Sequence, residues 1–231
     1  MHRLLEGIAL VAFDLDGTLI DSVPDLALAV DAALADLALP TAGEARVRDW
    51  VGNGSLVLME RALRHALSHS GKASLDIAVE VDCVLLERAH AAFLAHYGRD
   101  PGAHTRLYPG VRECLDGLRA QGLTLALVTN KPHAFIAPIL EGFGLEAHFA
   151  LCLGGDSLPQ KKPDPAPLRY LAAHFGLPPS ACLMVGDSRH DIAAGRAAGF
   201  RTLAVPYGYN HGEPVRDSGP DGVVESLGEL V

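Results

Sequence analysis

The sequence lacks any CxxC pair: its four cysteines, Cys83, Cys114, Cys152 and Cys182, are scattered over 231 residues. This spacing offers neither a disulfide framework nor a thiolate zinc site, and suits small buried apolar residues in a reducing cytoplasm. Long hydrophobic runs are missing as well. No apolar stretch approaches the roughly 20 residues of a membrane span, and the N-terminal run stops at Asp14 after about six, too short for a signal peptide. Positive charge is scarce: 19 basic residues face 28 acidic ones, for a net charge of −9. That argues against nucleic acid or an anionic membrane as partner, and it means that an anionic substrate needs a locally positive site. Internal repeats and low-complexity segments are absent too. What is there is 49% hydrophobic and 20% charged, the composition of a globular chain. Its length admits one large domain or a domain carrying an insertion. Oligomeric state stays open between monomer and homodimer.

Short apolar runs alternate with helical patterns outside the middle of the chain. The runs are Ile8–Phe13, Leu123–Val128, Phe149–Leu153, Cys182–Val185 and Thr202–Val205. Their hydrophobicity is continuous rather than alternating, as in parallel strands covered on both faces. Between them, helices are predicted over Val111–Gln121, from Pro132 to about Gly142, from Pro165 to before Gly176, and over Asp191–Ala198, each with Pro or Gly punctuation. This rhythm predicts an α/β fold with a doubly wound parallel sheet. The interval after Asp21 breaks the rhythm with three helical stretches, Pro24–Leu37, Leu56–Ser68 and Leu75–Tyr97. The expected organisation is therefore a core of residues 1–21 and 106–231, with a helical insertion at 22–105.

Ligands of open parallel sheets bind at the carboxyl ends of the strands. Here those ends carry Asp14 and Asp16, then Thr129-Asn130-Lys131, then Gly154 to Ser157 followed by Lys161 and Lys162, then Gly186 to Asp191. Singly, an Asp after a strand is commonly a turn or cap residue, and Lys162 a loop lysine. Together, in strand order on one rim, they form a set that turn chemistry does not account for. Clustered carboxylates repel one another unless a divalent cation sits among them, and Mg²⁺ favours carboxylate, water and phosphate oxygens. A lysine and a hydroxyl beside such a site suit a phosphoryl group, and a carboxylate there can be a nucleophile.

These residues resemble the haloacid dehalogenase superfamily. Its DxDGT pattern is matched by Asp14 to Thr18, its Ser/Thr motif by Thr129, its Lys motif by Lys162, and its acidic motif by Asp187 and Asp191. The resemblance covers essentially the whole chain and implies a Rossmann-like core with a helical cap. It implies Asp14 as nucleophile and Asp16 as general acid/base. Mg²⁺ would be held by Asp14, the Asp16 carbonyl and Asp187, with Asp191 in support, while Thr129, Lys162 and the Asn130 N–H hold the phosphoryl oxygens. An acid at position 16 points to phosphatase or phosphomutase chemistry, since a leaving alkoxide needs a proton.

The segments "GEARVRDWVGNGSLVLMERAL", "LVTNKP", "GDSRHDI" and "YGYNHGE" resemble those of bacterial phosphoglycolate phosphatases. That implies hydrolysis of 2-phosphoglycolate. Its carboxylate calls for donors near the phosphate, for which Lys131 on the rim and the backbone N–H groups of Gly52, Asn53 and Gly54 are the candidates, with Arg48 and Arg61 as further cations; the expected compartment is the cytoplasm. The alternatives are a capped phosphatase for other small esters or pyrophosphate, a β-phosphoglucomutase-like enzyme, or a non-catalytic phosphate-sensing module. A Schiff-base hydrolase would need Lys72. His65 and His69 have i,i+4 spacing without an evident third zinc ligand. His190 is expected to line the rim, and Trp50 to belong to the cap core or a substrate loop.

Overall fold

Four consecutive apolar residues behind the N-terminus, Leu10–Phe13, form β1 and are all buried. Their side chains alternate between two cores. Val11 and Phe13 pack with Leu125, Leu127, Leu183 and Val185, while Leu10 and Ala12 pack with Ala126, Val128, Cys182 and Met184. A strand with apolar cover on both faces shows no polar side, hence the continuous hydrophobic run.

The computed structural model describes residues 3–69 and 80–231. After β1 come β2 (Ile20–Asp21), α1 (Val23–Asp36), α2 (Glu44–Trp50), α3 (Ser55–His69), α4 (Cys83–Tyr97) and β3 (Arg106–Leu107). They are followed by α5 (Val111–Ala120), β4 (Thr124–Val128), α6 (Ile136–Gly142), β5 (Leu151–Leu153) and α7 (Ala166–His174). The chain ends with β6 (Cys182–Gly186), α8 (Arg189–Ala198), β7 (Arg201–Ala204) and β8 (Gly222–Val223). The six-stranded sheet has the order β5-β4-β1-β6-β7-β8, and every pairing in it is parallel. From β1 the order grows outwards through β4 to β5 on one side and through β6 to β8 on the other. The carboxyl end of β1 is thus the place where strand order reverses, the usual crevice for a ligand in such sheets.

The chain divides into two compact units, Met1–Asp21 with Arg106–Val231, and Ser22–Thr105. In the first, β2 and β3 form a short antiparallel ribbon where the chain leaves and re-enters; at two residues each these strands are too short to show a period. In the second, α1, α3 and α4 bury Leu26, Val30, Leu34, Met59, Leu63 and Phe93. Buried Asp25 ties the start of α1 to the end of the unit, accepting from His104 N at 3.0 Å and Thr105 Oγ1 at 2.6 Å.

The structure corrects three expectations. The helical unit has a further helix, α2, whose seven residues bury only Val47 and so carry little hydrophobic period. Of the stretch expected from Leu75, the described residues are helical from Cys83, where Asp82 caps α4 by accepting from Leu85 N at 3.2 Å. Its part over 75–79, and Lys72, lie outside the described residues. Among the cysteines, Cys83 is exposed rather than buried.

Candidate active site

β1 ends at Phe13, and the next residue stays in the sheet's line through Asp14 N, which donates to Val185 O at 2.9 Å. Asp14 is thereby presented at the reversal point. Its Oδ1 accepts from Leu15 N at 2.7 Å and from Lys162 Nζ at 3.0 Å. The same ammonium donates to Asp191 Oδ1 at 2.6 Å. Lys162 is held from behind, since its carbonyl accepts from Asn130 Nδ2 at 2.9 Å. The lysine therefore bridges the end of β1 and the first turn of α8 from the loop after β5.

Asp187 follows β6. Its Oδ1 accepts from Thr18 Oγ1 at 2.6 Å and its Oδ2 from Tyr209 N at 2.6 Å. Space around it is tight: a Cβ on Gly17 would lie 2.2 Å, and one on Gly208 2.3 Å, from Asp187 Oδ2. Gly17 also has a φ of +87°, which a side chain would resist. Asp191 sits in the first turn of α8, where its Oδ2 accepts from Ser188 N at 3.0 Å and Ser188 Oγ at 2.7 Å. The cap reading of an Asp after a strand is thus correct for Asp191, and its other oxygen still serves Lys162.

Carboxylate oxygens of Asp14, Asp187 and Asp191 all lie within 4.8 Å of one another, and the three residues are buried. Burial, only partly offset by Lys162 and reinforced by Asp191, raises the Asp14 pKa from 3.8 to about 7. Asp187 is pushed well above the ordinary carboxylate value by burial, then by the Asp191 and Asp14 charges. Burial alone would lower the Lys162 pKa, but the Asp14 and Asp191 carboxylates outweigh it and raise it. One lysine against three carboxylates leaves the cluster short of positive charge, and hard oxygen donors at this spacing fit a divalent cation.

The remaining rim residues follow β1, β4, β5 and β6. Asp16 does not join the cluster; both its oxygens accept from Lys131 Nζ, at 2.9 and 3.2 Å. Thr129 is buried, and its Oγ1 accepts from Lys131 N at 3.2 Å. Asp156 turns away to accept from His133 N at 2.7 Å, a turn contact. His190 Nε2 lies 3.2 Å from His211 Nε2; burial first, then His211, lower its pKa to about 4. In the helical unit, Gly52, Asn53 and Gly54 form the turn between α2 and α3. Arg48 pairs with Glu44 at 3.2 Å, and Arg61 Nη1 donates to Trp50 O at 2.6 Å. Sequence reasoning assigned no role to Thr18, Ser188 or Tyr209, although all three hold the acidic residues and stand inside quoted motifs.

The comparisons agree with this architecture. Residues 8–199 match the family model of the haloacid dehalogenase-like hydrolases. A phosphoglycolate phosphatase of Pseudomonas syringae pv. tomato is 49% identical over 96% of this chain and 78% of its own. One from Haemophilus influenzae is 46% identical over 96% of both chains. The crystal structure of a predicted phosphoglycolate phosphatase from Haemophilus somnus 129pt superposes with a TM-score of 0.90 at 42% identity, covering 97% of this chain and 96% of that one. The chain belongs to the haloacid dehalogenase-like hydrolases and is a phosphatase. Among the described residues, no helix is long and apolar enough to cross a membrane.

Proposed function

We propose that this phosphatase hydrolyses 2-phosphoglycolate to glycolate and phosphate through an aspartyl phosphate on Asp14. The observation that carries the chemistry is the buried Lys162 ammonium shared by Asp14 at 3.0 Å and Asp191 at 2.6 Å, beside Asp187, at the point where strand order reverses. The substrate reading is supported by identity of 46–49% to phosphoglycolate phosphatases.

In this reading Mg²⁺ is held by Asp14, Asp187 and the Asp16 carbonyl, with Asp191 in support, and supplies positive charge against the phosphate and the carboxylates. Such charge lowers the raised Asp14 pKa and keeps the carboxylate ionised as a nucleophile. An Asp14 oxygen bonds to phosphorus as the bond to the bridging oxygen breaks, and Asp16 gives that oxygen its proton. Asp16 then takes a proton from water as the water attacks the aspartyl phosphorus, which frees phosphate and regenerates Asp14. Lys162, Thr129 and the Asn130 N–H meet the phosphoryl oxygens, where preorganised donors stabilise developing charge. The helical unit serves as a cap, with Gly52, Asn53 and Gly54 offering backbone N–H groups to the substrate carboxylate.

A panel of phosphoglycolate, ethyl phosphate, a hexose phosphate and pyrophosphate, assayed with Mg²⁺ and with EDTA, tests this reading. The highest kcat/KM is expected for phosphoglycolate, and loss of all activity in chelator. A higher kcat/KM for pyrophosphate or a hexose phosphate overturns the substrate assignment, and full activity in EDTA overturns the metal.

A further inference from the structure

The two lysines of the rim are held differently. Lys162 has carboxylates on both sides and a pinned carbonyl, so it is part of a fixed lattice. Lys131 is anchored at its backbone, where its N–H donates to Thr129 Oγ1 at 3.2 Å and its carbonyl accepts from Gly155 N at 2.8 Å. A Cβ on Gly155 would come within 2.3 Å of Asn130 O, so only glycine fits against this loop. Its ammonium stands on four methylenes with 2% of the side chain exposed, and it grips both oxygens of Asp16, which is 13% exposed. In this arrangement the carboxylate assigned to proton transfer is docked on a cation.

We infer that Lys131 is the specificity switch of the reaction: a substrate carboxylate close to the phosphate takes over its ammonium, and the released Asp16 carboxylate takes a proton from water and carries it to the bridging oxygen. The inference rests on the reading of Asp16 as acid/base and of the substrate as a carboxylate-bearing ester. The two carboxylates compete for one ammonium, and a substrate anion entering this rim is otherwise repelled by Asp16. A phosphate ester without a second anionic group leaves Lys131 on Asp16, so it loses twice. Its binding lacks a charge-assisted hydrogen bond, and its leaving oxygen meets an acid that is held elsewhere. The arrangement would make carboxylate recognition a determinant of kcat and not of KM alone.

The test compares phosphoglycolate with ethyl phosphate on the wild type, on Lys131→Met and Lys131→Gln, which remove the charge, and on Lys131→Arg, which keeps it. Thermal unfolding of each variant checks the fold; Met preserves apolar bulk and Gln hydrogen bonding, so the pair guards against a variant that does not fold. In the wild type, kcat for phosphoglycolate should exceed that for ethyl phosphate by on the order of 10²-fold. In the uncharged variants kcat/KM for phosphoglycolate should drop at least about tenfold, while kcat for ethyl phosphate rises about threefold or more as Asp16 is released. Lys131→Arg should keep most of the discrimination. A wild-type preference lost by equal falls on both substrates, or retained in the uncharged variants, overturns the role of Lys131 alone. Ethyl phosphate turnover that fails to rise does the same. A wild type without preference for phosphoglycolate overturns the substrate reading, and this inference with it.

Discussion

Two ion pairs of nearly the same length sit in the two units of the molecule. Lys162 meets Asp191 at 2.6 Å with side chains 1% and 0% exposed, whereas Arg64 meets Glu60 at 2.7 Å with side chains 51% and 36% exposed. The second is an i,i+4 pair on α3, screened by water and free to break. The first is buried in the sheet unit beside Asp14 and Asp187. Geometry alone would rank them alike; burial separates them. An exposed pair contributes little to stability, while a buried one is costly to assemble and costlier to break. The rim of the sheet therefore spends stability on charge placement, and the Arg64–Glu60 pair of the helical unit does not.

Substitutions should expose that contrast in descending order. Asp14→Asn should cut turnover by more than about 10³-fold, because an amide is a poor nucleophile. Steady-state assays after excluding deamidation check this, and retention of a few per cent of activity would contradict it. Lys162→Met should both cost roughly 3–5 kcal/mol in denaturant unfolding, by stranding two buried carboxylates, and reduce kcat/KM by on the order of 10²-fold. The next effect is one of pH. The raised Asp14 pKa, from 3.8 to about 7, means that the folded protein binds more protons than the unfolded chain between those values. Stability without metal should then be greatest near the lower value and decline as pH rises through the upper one. Asp187, raised as well, adds to the same slope, whereas Lys162 titrates far above this window. Thermal unfolding from pH 4 to 8 with EDTA should show the decline, and Mg²⁺ should flatten it by replacing the protons. Arg64→Ala should change stability by no more than about 0.5 kcal/mol. A change comparable to that of Lys162→Met would erase the distinction between the two units.

The same contrast explains what was legible in the sequence. The parallel core was readable because strands covered on both faces must be apolar throughout, as Leu10–Phe13 and Cys182–Gly186 are. The acidic motif and the DxDGT stretch were readable because carboxylates after such strands are anomalous. Short elements were not: α2 buries one residue, and β2, β3 and β8 have two residues each, fewer than a period needs. Partnerships were also hidden. Nothing in the spacing of Thr129-Asn130-Lys131 says that Lys131 reaches Asp16 across 115 positions, or that Tyr209 N and Thr18 Oγ1 hold Asp187. Such pairings depend on strand order, which local pattern does not encode.

The central claim is that Asp14 takes the phosphoryl group within the buried cluster. Rapid acid quenching of the Asp16→Asn variant with p-nitrophenyl phosphate and Mg²⁺ tests it most directly. That leaving group scarcely needs a proton, whereas hydrolysis of the acyl phosphate lacks its base, so the intermediate should accumulate. The account predicts a burst of p-nitrophenol matched by a hydroxylamine-sensitive phosphoryl group that peptide mapping places on Asp14. Release of p-nitrophenol without a burst and without protein-bound phosphate, or a phosphoryl group on any other residue, would contradict it.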